Sequence, residues 1–327
     1  MIPKPFPGRA EGPEHHEDAP ARFEALEPRL LAAGDVSAVV VGGNLILTGD
    51  AAANEIVIDQ DGLAANEFRI RSGADATTIN GEDEVIVGGV TGDVRANLRG
   101  GDDVLEIVDA VVGGDLLVHG RRGDDTVAVS GCDVGGKIVV REGEGAGVVD
   151  LTGSEAGGDV HLFAGGGGVT ATVSQLRTGG DFGFCGGGGE DSLDVNEMEV
   201  GRSFRSNTGA GNDTVTLDEV YVHGTSLLTM GSGEDYLEFE SNVDGWPYST
   251  DWRWWHGCDF IGKVWIAAGA GADTVVACYY DGDVAGFNKG VVINGGTGQD
   301  VLKWGIDALG SRRNRNVEEV QGEVILH

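Results

Sequence analysis

Glycine returns at a fixed interval of 22 residues through Gly101, Gly123, Gly145, Gly167, Gly189, Gly211 and Gly233. Recurrence at a period of about 20–50 residues marks a stack of small structural units rather than a conventional globule. Counted from Asp93, Asp115, Lys137, Asp159, Asp181, Ser203 and Thr225, each 22-residue unit carries this glycine in its ninth position. A column without side chains implies positive φ or close stacking of backbones. The thirteenth and fifteenth positions are almost always apolar, as in Leu105/Ile107, Val127/Val129, Val149/Leu151, Leu193/Val195 and Val215/Leu217. Positions two and four alternate in the same way (Leu116/Val118, Phe182/Phe184), and positions eighteen and twenty add a third stripe (Met198/Val200, Val220/Val222). Alternation of period two marks strands with one buried face.

Three short strands and three turns per unit predict an all-β protein, a right-handed parallel β-helix (solenoid) with about 22 residues per coil. No coil buries its apolar face alone, so the core exists only once coils stack. Frequent glycine argues against helix. Asn44 to Ile58 reads as a first coil with Leu45/Leu47 and Ile56/Ile58 inward, and a looser coil follows to Gly92. An insertion spans 244–262, longer coils begin at Lys263 and Val291, and Val317 to His327 reads as a capping strand. About eleven coils predict a rod on the order of 50 Å long. The predicted division is thus a disordered segment 1–35 and a β-helix over 36–327.

Charge narrows the choice of partners. With 54 acidic against 22 basic residues the net charge is −32, which disfavours nucleic acid and anionic membranes and favours cations. The same charge also serves solubility. No run of 18 apolar residues occurs, so no membrane span is expected. No CxxC pair occurs among Cys132, Cys185, Cys258 and Cys278, which argues against zinc. Cys132 and Cys185 read as small core residues, and Cys258 with Cys278 is a disulfide option that sequence alone leaves open. His119, His161 and His223 fall in separate units and read as solvated strand-end residues.

The residues with chemistry lie just after the glycine column. Gly209-Ala210-Gly211-Asn212-Asp213, Gly231-Ser232-Gly233-Glu234-Asp235, Gly269-Ala270-Gly271-Ala272-Asp273 and Gly296-Thr297-Gly298-Gln299-Asp300 share a Gly-x-Gly-x-Asp pattern. The fuller pattern at Gly186 to Asp194 and Gly295 to Lys303 resembles the RTX, or haemolysin-type, calcium-binding repeat. That resemblance implies calcium at Asp103, Asp125, Asp191, Asp213, Asp235, Asp273 and Asp300, with turn carbonyls completing an oxygen shell. It covers the turns only, since RTX repeats are tandem nonapeptides with two such turns per coil. Gly147 and Val169 interrupt the column, so a predicted ion row splits after Asp125 and resumes at Asp191. The acidic neighbours Asp102, Asp124, Glu190 and Glu234 favour a cation. The alternative is that each Asp caps a tight turn on an exposed edge.

Two further features bear on function. Leu26-Glu27-Pro28-Arg29-Leu30-Leu31 resembles the LEPR-XLL segment of exported bacterial repeat proteins, which implies export or surface display. Residues 1–22 lack the apolar region of an ordinary signal peptide. Trp246, Tyr248, Trp252, Trp254, Trp255 and His256 crowd the insertion, either as a ligand-binding patch or as a cover on one face. A glycosidase or polysaccharide lyase would need paired carboxylates. Asp251, Asp259 and Asp281 near Arg253, His256 and Lys263 are the residues available, but no motif of those enzymes is present.

The sequence therefore predicts an exported, non-catalytic, calcium-binding solenoid with a structural or adhesive role, extracellular or at the cell surface. Its expected partners are calcium, polysaccharide or surface proteins. The alternative is a carbohydrate-binding or carbohydrate-active β-helix using the tryptophan-rich insertion.

Overall fold

A computed structural model describes residues 34–73, 77–240, 258–277, 286–304, 317–321 and 324–326. All of them belong to one compact unit, Ala32–His327. The described residues are all strand and turn, arranged in a sheet of 13 strands and a sheet of 19.

Alternation decides which residues enter which sheet. Positions two to five of successive units form the smaller sheet, in which Leu116 pairs Ile138, Val160 pairs Phe182, and Phe204 pairs Ser226, all in parallel. Positions twelve to sixteen form the larger sheet, where Thr126 pairs Val148 and Ser192 pairs Thr214. The expected third stripe joins that same sheet as short strands such as Asp133–Val134 and Glu155–Ala156. In Ser192–Val200 and Thr214–Val222 it fuses with the strand before it. Across 93–240 each strand thus pairs with the residue 22 places away.

The inward positions form one continuous apolar core. Leu45, Ile56, Leu105, Val127, Leu151, Val195 and Leu217 are fully enclosed. In-register Phe182 and Phe204 stack with centroids 5.1 Å apart. Further along, Phe260 stacks on Phe287 at 5.5 Å, with Phe239 edge-on to both. Burying a large apolar side chain stabilises by about 1.5–3 kcal/mol, so the stack of units carries most of the fold's stability.

The ends depart from the expected pattern. Strand Gly34–Val41 takes up the last residues of the segment expected to be disordered, and it pairs antiparallel with Asn44–Thr48 across the Gly42-Gly43 turn. The looser coil is a meander, with Phe68–Ser72 antiparallel to both Glu55–Asp59 and Glu84–Val87. All described antiparallel pairs lie before residue 88. The expected insertion is shorter than its sequence limits, because Asp259–Phe260 is already a strand paired with Tyr221–Val222. Residues 1–33 and 241–257, with Cys278 and Asp281, lie outside the described residues, and so do the LEPR-XLL-like segment, the aromatic cluster and half of the disulfide option.

Cys132 is a core residue as expected. Cys185 is not: it ends its strand on the outer face and is half-buried. His223 is exposed, whereas His119 and His161 are half-buried within strands.

Candidate functional site

Parallel strands pair their backbones until a turn interrupts the ladder, and the N–H groups at the break need other acceptors. Aspartate side chains supply them in three columns. At the first position Asp93, Asp115, Asp159 and Asp181 each accept the N–H one unit later, from Asp115, Lys137, Asp181 and Ser203, at 2.9–3.1 Å. At the tenth position Asp102, Asp124 and Asn212 do the same for Asp124, Ala146 and Glu234. Two of the acidic neighbours taken as favouring a cation, Asp102 and Asp124, are therefore exposed turn caps.

The eleventh position, the predicted metal column, points the other way. Oδ1 of Asp103 accepts the N–H of Asn54 one unit earlier, and Asp125 accepts that of Asp103. Asp191 accepts from Val169, Asp213 from Asp191, Asp235 from Asp213, Asp273 from Asp235, and Asp300 from Asp273, at 2.8–3.2 Å. The turn-capping alternative puts these carboxylates on an exposed edge; they do cap, but all seven are 0–3% exposed. The intervening glycines make this depth accessible. Gly211, Gly233, Gly271 and Gly298 hold φ between 140° and 151°, and a Cβ on Gly233 would meet the carbonyl of Gly211.

One carboxyl oxygen is thus used and the other is not. Oδ2 of Asp103, Asp125, Asp213, Asp235, Asp273 and Asp300 is buried with no hydrogen-bond partner, while Oδ2 of Asp191 accepts the N–H of Gly187 at 2.9 Å. The free Oδ2 of Asp125 and the hydrogen-bonded Oδ2 of Asp191 occupy the room that a Cβ on Gly120 and on Gly186, at the sixth position, would need. Burial, reinforced by the charges of Asp125 and Asp50, pushes Asp103 up to about 7 against the hydrogen bonds from Asn54. Burial with Asp273 and Asp213 nearby pushes Asp235 to about 6. Asp125, Asp191 and Asp273 are likewise raised by burial. Like charges in a low-dielectric row repel, so such a row needs protons or bound cations.

The predicted break is real and is filled by a residue that sequence reasoning missed. Where Gly147 replaces the aspartate, Glu142 reaches in from the sixth position of the same unit, and its Cγ occupies the room a Cβ on Gly147 would need. Its carboxyl crowds Gly120 together with that of Asp125, and Oε1 has no partner. Burial and then the charge of Asp125 push Glu142 up to about 8. The signal was available: the sixth position reads Leu98, Gly120, Ala164, Gly186, Thr208 and Met230 elsewhere, and its one acidic residue stands in one of the two units that lack the aspartate. One unit on, Val169 offers no oxygen, and the Gly147 N–H turns to the carbonyl of Gly168 at 3.0 Å.

The donor chemistry suits calcium, which takes carboxylate and carbonyl oxygens in flexible geometry. Among the described residues no group of three or more His, Cys, Asp or Glu side chains converges as a metal cluster. Main-chain carbonyls and water would have to complete any shell. Of the residues considered for catalysis, Asp259 is half-buried, accepts a hydrogen bond from Asn288 at 2.7 Å and is raised by burial. Asp251, Arg253, His256 and Asp281, like the binding candidates Trp246, Tyr248, Trp252, Trp254 and Trp255, lie outside the described residues. No protein family model matches the chain, and neither a curated protein nor a solved structure is found to match it.

Proposed function

We propose that the chain is an exported, non-catalytic, structural or adhesive protein of the cell surface. It is built as a right-handed parallel β-helix with about 22 residues per coil, and calcium is held along its aspartate row. The observation that carries the reading is the second carboxyl oxygen: six aspartates of the row keep Oδ2 buried and unpartnered after Oδ1 has capped the turn. Capping explains one oxygen and leaves the other, with its charge, without a role. A divalent cation between successive units would use that oxygen and offset the repulsion. Export follows the LEPR-XLL resemblance, and millimolar extracellular calcium would favour occupancy.

Equilibrium dialysis of the full chain against radioactive calcium at pH 7.5 tests the reading. Saturable binding is expected, reduced in the Asp213→Asn/Asp235→Asn variant, whose amides still accept the backbone N–H but carry no charge. Wild-type protein that retains no calcium would leave the row as turn chemistry alone.

A further inference from the structure

A second unusual column lies at the seventh position, which falls within the strands of the smaller sheet in Val94–Gly100 and Leu116–Arg122 and just past them in the later units. From the third full unit onward it is glycine: Gly143, Gly165, Gly187, Gly209, Gly231, Gly269 and Gly296. Four of these hold φ of +84° to +109°. In the two preceding units the same place is taken by Arg99 and Arg121, at φ +78° and +88°, paired in register on adjacent strands. Arginine there bears a backbone strain that glycine avoids, and such strain persists mainly where the side chain is needed.

The surroundings point the same way. Arg99, Arg121 and Arg141 are exposed, and among the described residues none of them pairs with a carboxylate. Arg121 is aimed by a hydrogen bond from its Nε to Oδ1 of Asn97 at 2.5 Å. The guanidinium of Arg141 lies 3.8 Å from the centroid of the half-buried Phe163 ring. His119 stands between them on the same face and is held below its usual range by burial and then by the charges of Arg121 and Arg141. A chain of net charge −32 thus gathers uncompensated cations on one face, across Val94–Gly100, Leu116–Arg122 and Ile138–Arg141, with an aromatic ring on the next strand. Four strands at about 4.8 Å spacing make a strip on the order of 15 Å long. The strip lies on an outer sheet face, so it suits a linear polymer with anionic groups at intervals. Guanidinium groups take carboxylate and sulfate bidentately.

We infer that Arg99, Arg121, Arg141, His119 and Phe163 form a binding strip for an acidic polysaccharide, whose carboxylate or sulfate groups the arginines engage. This gives a partner to the adhesive part of the proposed function, and it does not depend on calcium in the aspartate row.

Affinity electrophoresis of the full chain tests it, in gels containing polygalacturonate, dextran sulfate, neutral dextran or single-stranded DNA, with EDTA and with calcium. Retardation is expected in polygalacturonate, dextran sulfate or both, which separates uronate from sulfate recognition, and it should be lost in 0.5 M salt, an ionic strength that screens such contacts to about 4 Å. The Arg99→Gly/Arg121→Gly variant restores the residue the column otherwise uses. It should bind at least tenfold more weakly while melting no lower than wild type. Retention that persists in EDTA upholds the strip even if the calcium reading fails. The inference is overturned by equal retardation in neutral dextran, by none in either acidic polymer, by preference for DNA, by wild-type binding of the double variant, or by a drop of several degrees in its melting temperature.

Discussion

The aspartate row differs between the two parts of the repeat. From Asp191 to Asp300 it is unbroken, each carboxylate capping the unit before it. Between Asp125 and Asp191 it fails twice, and the fold closes each gap differently: with the Glu142 side chain at Gly147, and with a buried valine at position 169. The unit containing Val169 still pairs in register on both sides. An apolar residue therefore satisfies the fold at this position. Aspartate recurs elsewhere despite the cost of burying a carboxylate, which suits a role beyond closing the turn.

The strongest way to break the comparison is to remove caps from the unbroken part. In Asp213→Ala/Asp235→Ala the buried N–H groups of Asp191 and Asp213 lose their acceptors, at about 1–3 kcal/mol each. Urea denaturation should register the sum. Asp213→Asn/Asp235→Asn should lose far less in EDTA, because the amide oxygens still cap.

A smaller effect of opposite sign is expected at the break. The Glu142 carboxyl titrates at about 8 in the folded chain. In the unfolded chain it titrates near ~4.3. The folded state binds the extra proton between these values, so the stability associated with it is fully present below pH ~4 and declines as pH rises to about 8. Glu142→Gln should therefore raise the unfolding free energy measured in urea at pH 8.5 by about 1–3 kcal/mol, and leave it unchanged at pH 4. A variant less stable than wild type at pH 8.5 would show that the acid pair is held by something that needs its charge.

The smallest effect sharpens the contrast between buried and exposed columns. Asp102 caps Asp124 from an exposed position, so Asp102→Ala should cost only about 0.5–1.5 kcal/mol in urea denaturation.

Much of the architecture was legible because a 22-residue period leaves little freedom: Leu105, Val127, Val149, Leu193 and Val215 occupy the same inward column that alternation assigned them. The meander over 55–87 was not, because its antiparallel pairs follow no period and its turns fall at Gly62 and Gly81 rather than in a glycine column. The aspartate column was legible as a pattern but not in depth. Charge alone places Asp outside, and only the backbone approach that glycine permits brings Asp213 or Asp235 inside. Glu142 escaped because its role depends on what Gly147 lacks, a relation between two columns rather than within one. Arg99 and Arg121 escaped similarly, since a seventh-position column of glycine gains meaning only with the backbone angle that arginine shares there.

The central claim, that cations occupy the aspartate row, is tested most directly by the melting temperature of the full chain from pH 4.5 to 8.5, in EDTA and in millimolar calcium. Asp103 at about 7 and Asp235 at about 6, with Asp125, Asp191 and Asp273 also raised, bind more protons folded than unfolded. Stability in EDTA should therefore fall as pH rises through these values. On the proposed function calcium would bind the ionised carboxylates of the native state, so it should abolish that fall and raise the melting temperature at pH 8 by many degrees. Two curves that overlie across the whole range would contradict the account.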